Sequence, residues 1–140
     1  MFNSEVQIRV RYAETDRMGY VYYGNYATYF EVARVEALRQ LGLSYRAMED
    51  DGIIMPVLDF QIKYFKPALY DDLLTIKLSI KHWPTTRLHF DYETFNEGGD
   101  IINKGSTTLV FVNKSTMRPT HAPENFIESL RQYFDPIHQK

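Results

Sequence analysis

One stretch of this chain combines residue types that can do chemistry at a spacing that brings them together. It covers residues 12–31 and reads YAETDRMGYVYYGNYATYFE. Asp16 provides a carboxylate, which can act as a general base or as a nucleophile. Asn25 follows at the start of a predicted helix, where backbone N–H groups are left unpaired. We therefore expect a site in which the Asp16 carboxylate and this helix start converge.

A strand is predicted on the N-terminal side of this stretch. Residues 5–12 alternate between apolar and polar side chains, which indicates a half-buried strand. Its inner face would carry Val6, Ile8, Val10 and Tyr12. Such a strand would deliver Asp16 into the loop that follows it.

A helix is predicted on the C-terminal side. Helical periodicity begins near Tyr26, with Asn25 as the N-cap and Gly42 as the C-terminal stop. Its apolar face is broad and also contains one charged residue. The face consists of Tyr26, Tyr29, Phe30, Ala33, Ala37 and Leu41, widened by Ala27 and Leu38, with Arg34 inside it. So wide an apolar arc indicates a helix wrapped by a sheet.

The remainder of the chain predicts strands separated by turn-forming residues. The predicted strands cover residues 53–65, 73–82, 88–96 and 101–113, and further helices are predicted at 44–50 and 122–134. The order of strand, helix and four successive strands favours an α+β fold, in which an antiparallel sheet of about five strands surrounds one long central helix. Residues 1–140 fit a single domain.

Composition excludes several classes of function. The chain has no cysteine, which rules out disulfides, thiolate metal sites and a cysteine nucleophile. A net charge of -2 gives no whole-chain attraction to nucleic acid. No signal peptide or membrane-length apolar run is present, so we expect a soluble cytoplasmic protein without membrane contact. His82, His89, His121 and His138 lack metal-ligand spacing, and no Gly-x-Ser-x-Gly motif occurs.

The stretch 12–31 resembles the signature of the hotdog-fold acyl-CoA thioesterases of the 4-hydroxybenzoyl-CoA thioesterase family. A second segment, YFKPALYDD at residues 64–72, resembles the Tyr-x-x-Pro-Ala-x-x-x-Asp segment of the same family. Together the similarities cover nearly the whole chain. The resemblance implies a hotdog fold and hydrolysis of an acyl-CoA thioester without a cofactor.

The resemblance also implies roles for three residues. The position of Asp16 is that of the catalytic carboxylate, and the positions of Tyr23 and Gly24 provide backbone N–H groups for the thioester oxygen. Asp16 would either attack the carbonyl to give an anhydride or deprotonate a water molecule, and the sequence leaves both mechanisms open. Many family members have histidine where this chain has Tyr23, so the N–H group rather than the side chain is the expected catalytic feature. The Tyr23 ring would line the acyl pocket or pack.

Substrate-binding residues are predicted in two groups. The acyl pocket is expected to use Tyr20, Tyr22, Tyr23, Tyr26 and Met55, which suit an aromatic or a medium-chain aliphatic group, and Asn25 is a further predicted substrate-binding residue. Cationic candidates for the phosphates of CoA are Arg87, Lys114 and Arg118, each of which is also typical of an ordinary solvated charge.

Two charged residues border the apolar face of the predicted central helix. Glu31 and Arg34 lie one turn apart, and we expect a structural ion pair between them. In the alternative, Glu31 orients a water molecule in the site or a loop of a partner subunit.

The family resemblance implies a homodimer or homotetramer with the site between subunits. Two alternatives share the scaffold: an acyl carrier protein thioesterase, and a non-enzymatic module that binds acyl-CoA or lipid. A hotdog dehydratase is less favoured, because the motif supplies no histidine to pair with a carboxylate.

Overall fold

The computed structural model describes residues 1–134, and an antiparallel sheet packed on a central helix dominates them. His138 of the predicted histidine set lies outside the described residues. The strands are β1 (Phe2–Arg9), β2 (Ile53–Ile54), β3 (Val57–Tyr64), β4 (Leu73–Ile80), β5 (Arg87–Phe95), β6 (Ile101–Val110), β7 (Val112–Asn113) and β8 (Arg118–Pro119). The helices are α1 (Asn25–Gln40), α2 (Tyr45–Asp50) and α3 (Glu124–Leu130). Single 3-10 turns follow at Tyr12–Glu14 and Arg131–Tyr133.

The main sheet has five strands in the order β1-β4-β5-β6-β3, and β2, β7 and β8 form a small second sheet. All paired strands are antiparallel. The α+β class and the number of strands in the main sheet confirm the prediction. β8 pairs with β7 and was not predicted.

Two predicted strands are each divided in the structure. Residues 53–65 form β2 and β3 with a break at Met55 and Pro56, because proline has no N–H group to continue a ladder. Residues 101–113 form β6 and β7, which are separated by Phe111, whose N–H group donates to the carbonyl oxygen of Thr86 (2.9 Å). The first strand ends at Arg9, and Tyr12, predicted on its inner face, is 77% exposed in the 3-10 turn.

Helix α1 has 16 residues and is short, rather than the long central helix predicted. Asn25 is its first helical residue and not its N-cap, because Gly24 occupies the cap position without a side-chain hydrogen bond. Gly42 follows the helix at φ +80°, as expected of a helix stop. Ala27 is exposed, contrary to the predicted face. The buried residues of α1 are Tyr26, Tyr29, Phe30, Ala33, Arg34, Ala37 and Leu38.

Phe30 fixes the distance between α1 and the sheet. Its ring stacks on that of Tyr92 in β5, with centroids 4.1 Å apart and planes 2° from parallel. A Cβ atom on Gly105 of β6 would lie 2.6 Å from the Phe30 ring and 2.9 Å from the carbonyl oxygen of Gln61. Only glycine fits there, and its absent side chain lets the helix approach the sheet closely.

Strand β3 lies at the edge of the main sheet and carries exposed apolar side chains. Its register against β6 shifts once: Val57 pairs with Leu109 and Asp59 pairs with Thr108, so that Leu58 is an extra residue. Because of this bulge, Val57 and Tyr64 line clefts beside α1, although ordinary alternation would place them on opposite faces of the sheet.

Among residues 1–134, no helix combines the length and the apolar character needed to cross a bilayer.

Candidate active site

Asp16 lies at the base of a short hairpin. Its backbone N–H group donates to the carbonyl oxygen of Tyr20 (2.7 Å), and its carbonyl oxygen accepts from Gly19 (3.0 Å), which adopts φ +81°. The Asp16 carboxylate is half-buried, and its Oδ1 accepts from the backbone N–H groups of Met18 (2.9 Å) and Tyr20 (3.2 Å). Oδ2 accepts from none of the described residues. One oxygen thus holds the carboxylate in place while the other remains available to react.

The backbone just before α1 leaves donors unused. The N–H groups of Tyr23 and Gly24 donate to no group within residues 1–134, whereas those of Asn25 and Tyr26 donate to the carbonyl oxygens of Tyr22 (2.9 Å) and Tyr23 (3.2 Å). Free N–H groups at a helix start, where the helix dipole is positive, can stabilise a developing oxyanion. A Cβ atom on Gly24 would lie 2.8 Å from the Tyr22 ring, so glycine also permits that ring to cover this turn.

These two features share one open cleft of about 330 Å³. Asp16 lines it together with Met18, Tyr20, Val21, Tyr23, Tyr26, Tyr64, Phe65, Lys66 and Pro67. The last four belong to the second family-like segment, which pairs with the Asp16 loop through Tyr20 and Leu69 and through a bond from the Val21 N–H group to the Ala68 carbonyl oxygen (2.9 Å). That segment was recognised from its resemblance to the family, but none of its residues was predicted to contribute to the site.

Glu14 anchors the loop and was missed by the sequence analysis. Its buried carboxylate accepts from the Arg11 backbone N–H group (2.8 Å), the Arg11 guanidinium (3.1 Å) and the Tyr29 hydroxyl of α1 (2.9 Å). Its carbonyl oxygen accepts from the Tyr22 N–H group (2.8 Å) and from Nδ2 of Asn25 (2.8 Å). Glu14 therefore ties the turn before Asp16 to Tyr22 and Asn25, which flank the unused N–H groups of Tyr23 and Gly24. One sequence feature could have identified Glu14: it is a carboxylate two residues before Asp16, in a segment that has neither helical nor strand periodicity.

The electrostatics of this anchor follow from its contacts. Burial raises the pKa of the Glu14 carboxyl, but the hydrogen bonds from Arg11 and Tyr29 outweigh burial and leave that pKa below its ordinary value. Burial, followed by the bond to the Glu14 carboxylate, raises the pKa of the Tyr29 phenol. Burial also raises the pKa of Tyr26 at the cleft floor to about 12, and the Tyr64 phenol adds to that shift. All three groups keep their ordinary charge at neutral pH.

Of the predicted acyl-pocket residues, Tyr20, Tyr23 and Tyr26 line the Asp16 cleft. Tyr22 does not line it, because its ring packs on that of Tyr23 with centroids 4.7 Å apart. A hydrogen bond with Tyr23 raises the pKa of Tyr22. Asn25 bonds Glu14 rather than facing the cleft.

The other predicted substrate-binding residues lie away from this cleft. Met55 lines a second cleft beside the middle of α1. Arg87 begins β5 on the outer side of the sheet, and Lys114 and Arg118 are exposed around the β7–β8 hairpin. Lys66 is the cation that lines the Asp16 cleft, and its Nζ is held by Asp100 (3.1 Å).

The predicted ion pair between Glu31 and Arg34 is wrong. Arg34 is buried to 6% exposure and donates through Nη1 to the Tyr92 hydroxyl (3.2 Å), while Glu31 is exposed. No carboxylate of the described residues lies within ion-pair distance of Arg34. Its charge lies near the Tyr45 phenol and opposes the rise that burial causes in the pKa of Tyr45. Both residues border the same cleft, but the hydrogen bond that Arg34 makes there goes to Tyr92.

Among residues 1–134, no three histidine or acidic side chains converge as metal ligands.

The sheet, the central helix and the cleft at the helix start define a thioesterase-like protein of the hotdog kind. The model of the thioesterase-like superfamily matches residues 10–130, and the chain belongs to that superfamily.

Relatives with named activities match most of the chain. The acyl-CoA thioester hydrolase YbgC of Escherichia coli is 30% identical over 125 residues, which are 89% of this chain and 93% of YbgC. The 1,4-dihydroxy-2-naphthoyl-CoA hydrolase of Thermosynechococcus vestitus is 34% identical over 99 residues, 70% of this chain and 68% of the relative. The crystal structure of DHNA-CoA thioesterase from Staphylococcus aureus superposes with a TM-score of 0.84 at 40% identity, covering 99% of this chain and 88% of that one.

Proposed function

We propose that this protein hydrolyses acyl-CoA thioesters through Asp16, with the backbone N–H groups of Tyr23 and Gly24 stabilising the oxyanion. One observation carries the assignment: Asp16 and Tyr23 line the same cleft, with an unoccupied carboxylate oxygen and unused N–H donors beside it. Thioester hydrolysis needs a base or nucleophile and donors for the carbonyl oxygen.

The protein is an acyl-CoA thioesterase. YbgC, which aligns with 89% of this chain, is an acyl-CoA thioester hydrolase. A solved structure that covers 99% of the chain is likewise a CoA thioesterase.

Two chemical routes fit the proposed site. In the first, Asp16 Oδ2 attacks the carbonyl carbon, the C–S bond breaks, and water then hydrolyses the resulting anhydride. In the second, Asp16 removes a proton from a water molecule that attacks the carbonyl directly. In both routes the bonds from Met18 and Tyr20 to Oδ1 orient the carboxylate. The CoA thiolate is a good leaving group, so neither route requires a strong general acid.

We infer an aromatic acyl group as the substrate class. Four tyrosine rings and Phe65 line the Asp16 cleft and suit a flat apolar group. The proteins from T. vestitus and S. aureus act on 1,4-dihydroxy-2-naphthoyl-CoA and DHNA-CoA. Arg87, Lys114 and Arg118 remain our candidates for contact with the CoA phosphates.

We further propose a homodimer or homotetramer, in the cytoplasm, with the site between subunits. The supporting observation is the edge strand β3, where Val57, Leu58 and Phe60 are 48%, 53% and 39% exposed. An unpaired apolar edge of this kind is a template for pairing with a second strand. A monomer by light scattering at working concentration would refute this arrangement.

The proposed function is tested by release of free thiol from a panel of aliphatic and aromatic acyl-CoAs. Asp16→Asn keeps the shape of the side chain. We expect Asp16→Asn to lower kcat by roughly a thousandfold or more, as loss of a catalytic carboxylate does. Asp59 lies on the strand proposed to pair between copies, so Asp50→Asn, at an exposed position of α2, is the matched control expected to stay close to wild type.

The outcomes separate the alternatives. Turnover that survives Asp16→Asn would refute the catalytic assignment. Hydrolysis of acyl carrier protein thioesters but of no acyl-CoA would favour the carrier-protein enzyme. Tight binding of a non-hydrolysable acyl-CoA without turnover of any thioester would identify a binding module.

A further inference from the structure

A second cleft lies beside the middle of α1 and has no role in the chemistry described above. It is open, encloses about 330 Å³ and lies between α1, α2 and the start of β3. Its walls include the apolar side chains of Val35, Met55 and Val57. Its polar groups come from Arg34, Tyr45, Glu31 and Glu49. We call it the Arg34 cleft.

Arg34 is buried, and none of residues 1–134 provides a carboxylate within ion-pair distance of it. Only 6% of the residue is exposed, and Nη1 bonds the neutral hydroxyl of Tyr92. Its Nε and the Tyr45 hydroxyl are enclosed and have no hydrogen-bond partner in the described part of the chain. A buried charge whose N–H groups have no acceptor costs free energy. A ligand that accepts those hydrogen bonds removes part of this cost, which favours its binding. The Nη2 nitrogen of Arg34 donates to none of residues 1–134 and is not among the enclosed unpaired atoms, so a ligand in the cleft can reach it.

The polar groups of the Arg34 cleft select the chemistry of that ligand. Arg34 can donate hydrogen bonds through Nη2, while Glu31 and Glu49 can accept them. A hydroxyl group both accepts and donates, so it satisfies both kinds of partner. A carboxylate would meet repulsion from the two glutamates. Apolar walls around these groups suit a ring that carries the hydroxyl.

The Arg34 cleft and the Asp16 cleft lie at opposite ends of β3. Val57 borders the former and Tyr64 the latter. At about 3.3 Å per residue, these ends are roughly 20 Å apart, which is farther than an aromatic acyl group extends. The two clefts of one copy therefore cannot hold the same acyl group.

Antiparallel pairing of two β3 strands removes this separation. Such pairing has a twofold axis normal to the sheet, so both copies keep α1 on the same side of the joined sheet. It sets the Val57 end of one strand beside the Tyr64 end of the other, with the strands about 4.8 Å apart. The Arg34 cleft of one copy then adjoins the Asp16 cleft of the second.

We propose that Arg34 of one copy binds a hydroxyl group on the aromatic acyl moiety whose thioester is held at Asp16 of the second copy. This inference rests on the proposed function and on the pairing of two copies. It makes Arg34 a determinant of specificity rather than of the chemical step.

The first test compares matched substrates with and without the hydroxyl groups, 1,4-dihydroxy-2-naphthoyl-CoA and 2-naphthoyl-CoA. Arg34→Met should lower kcat/KM for the hydroxylated substrate by about tenfold to a hundredfold, as loss of a charged hydrogen bond does, and by less than about threefold for the other. Arg46→Met, an exposed arginine of α2 outside the cleft, serves as the matched control. If Arg34→Met does not fold, Arg34→Gln, which keeps a hydrogen-bonding side chain beside the Tyr92 hydroxyl, should show the same selective loss.

Equal losses on both substrates, or no loss on either, would overturn the inference while leaving the proposed function intact. A wild type that hydrolyses neither substrate nor any other acyl-CoA would overturn the proposed function, and the inference with it.

The second test asks which copy provides Arg34. Asp16→Asn and Arg34→Met chains carrying different affinity tags are co-expressed, and the mixed assembly is purified through both tags. If the residues act across copies, the mixed dimer contains one site with both wild-type residues and should show about half of the wild-type activity on the hydroxylated substrate. If both residues act within one copy, activity will not exceed half that of the Arg34→Met protein, and the inference is wrong.

Discussion

The Asp16 cleft and the Arg34 cleft each enclose about 330 Å³, but they differ in whether their polar groups have hydrogen-bond partners within the protein. Around Asp16, the carboxylate and the Glu14 anchor are held by hydrogen bonds from backbone and side chains. Around Arg34, a guanidinium nitrogen and the Tyr45 hydroxyl are buried without partners. A site that performs a reaction benefits from fixed geometry, whereas unpaired groups are typical of a place that a ligand completes.

The anchor on the Asp16 side gives the largest expected effect on stability. Glu14→Ala removes the acceptor for Tyr29 and the partner of Arg11, leaving a buried donor unpaired. We expect the free energy of unfolding to fall by about 3 kcal/mol, together with a loss of kcat as the backbone at Tyr23 and Gly24, which we propose as the oxyanion donors, loosens. Urea unfolding and thiol-release kinetics measure both effects.

Glu5→Ala is the control for that experiment, because Glu5 is exposed on β1. It should change stability by less than about 0.5 kcal/mol. A Glu14→Ala protein with unchanged stability and unchanged kcat would show that the anchor is dispensable.

A pair of tyrosines sharpens the contrast between the clefts. The Tyr29 hydroxyl donates to a carboxylate, whereas the Tyr45 hydroxyl is buried without a partner. Tyr29→Phe should therefore lower the free energy of unfolding by about 2 kcal/mol, and Tyr45→Phe should leave it within about 0.5 kcal/mol or raise it. Equal destabilisation in denaturant titrations of the ligand-free protein would contradict the distinction drawn between the clefts.

The smallest expected effect is the pH dependence that Glu14 adds. Its folded-state pKa lies below the ordinary value of 4.5, so the ionised carboxylate contributes stability above that pH. This contribution is lost as the pH falls through the lower folded-state pKa. The difference in unfolding free energy between wild type and Glu14→Gln should be constant near neutral pH and shrink on acidification below about pH 4.5. A difference that grows as the pH falls would have the wrong sign for this mechanism.

Local sequence patterns predicted most of the architecture. Alternation and helical periodicity located the main strands and α1, because each pattern reflects which side of an element is buried. These patterns failed at two positions where the backbone leaves the extended conformation. Pro56 divides a predicted strand, and the 3-10 turn at Tyr12 leaves that side chain exposed to solvent. The stop at Gly42 was correct because a left-handed glycine ends a helix by local geometry alone.

The site could be predicted only in part. Asp16 and Tyr23 were named from their motif, and the structure brings both to one cleft. Glu14 was missed because its importance comes from contacts with Tyr29, fifteen positions away. The partner of Arg34 was misjudged for a similar reason, since Tyr92 reaches it from a strand far along the chain. Periodicity reports on neighbours within an element and carries no information about such tertiary contacts.

The single extra residue in β3 means that the number of residues in this strand decides which face of the sheet Val57 occupies. Leu58 is mostly exposed and its identity matters little, but it shifts the alternation of the strand by one position. Deleting it would turn Val57 and the segment before it to the opposite face, removing a wall of the Arg34 cleft while Tyr64 stayed in place. Replacement of Leu58 by another residue should be tolerated. Removal of one residue from this end of the strand should abolish the discrimination that we propose for the Arg34 cleft, without disturbing the Asp16 loop.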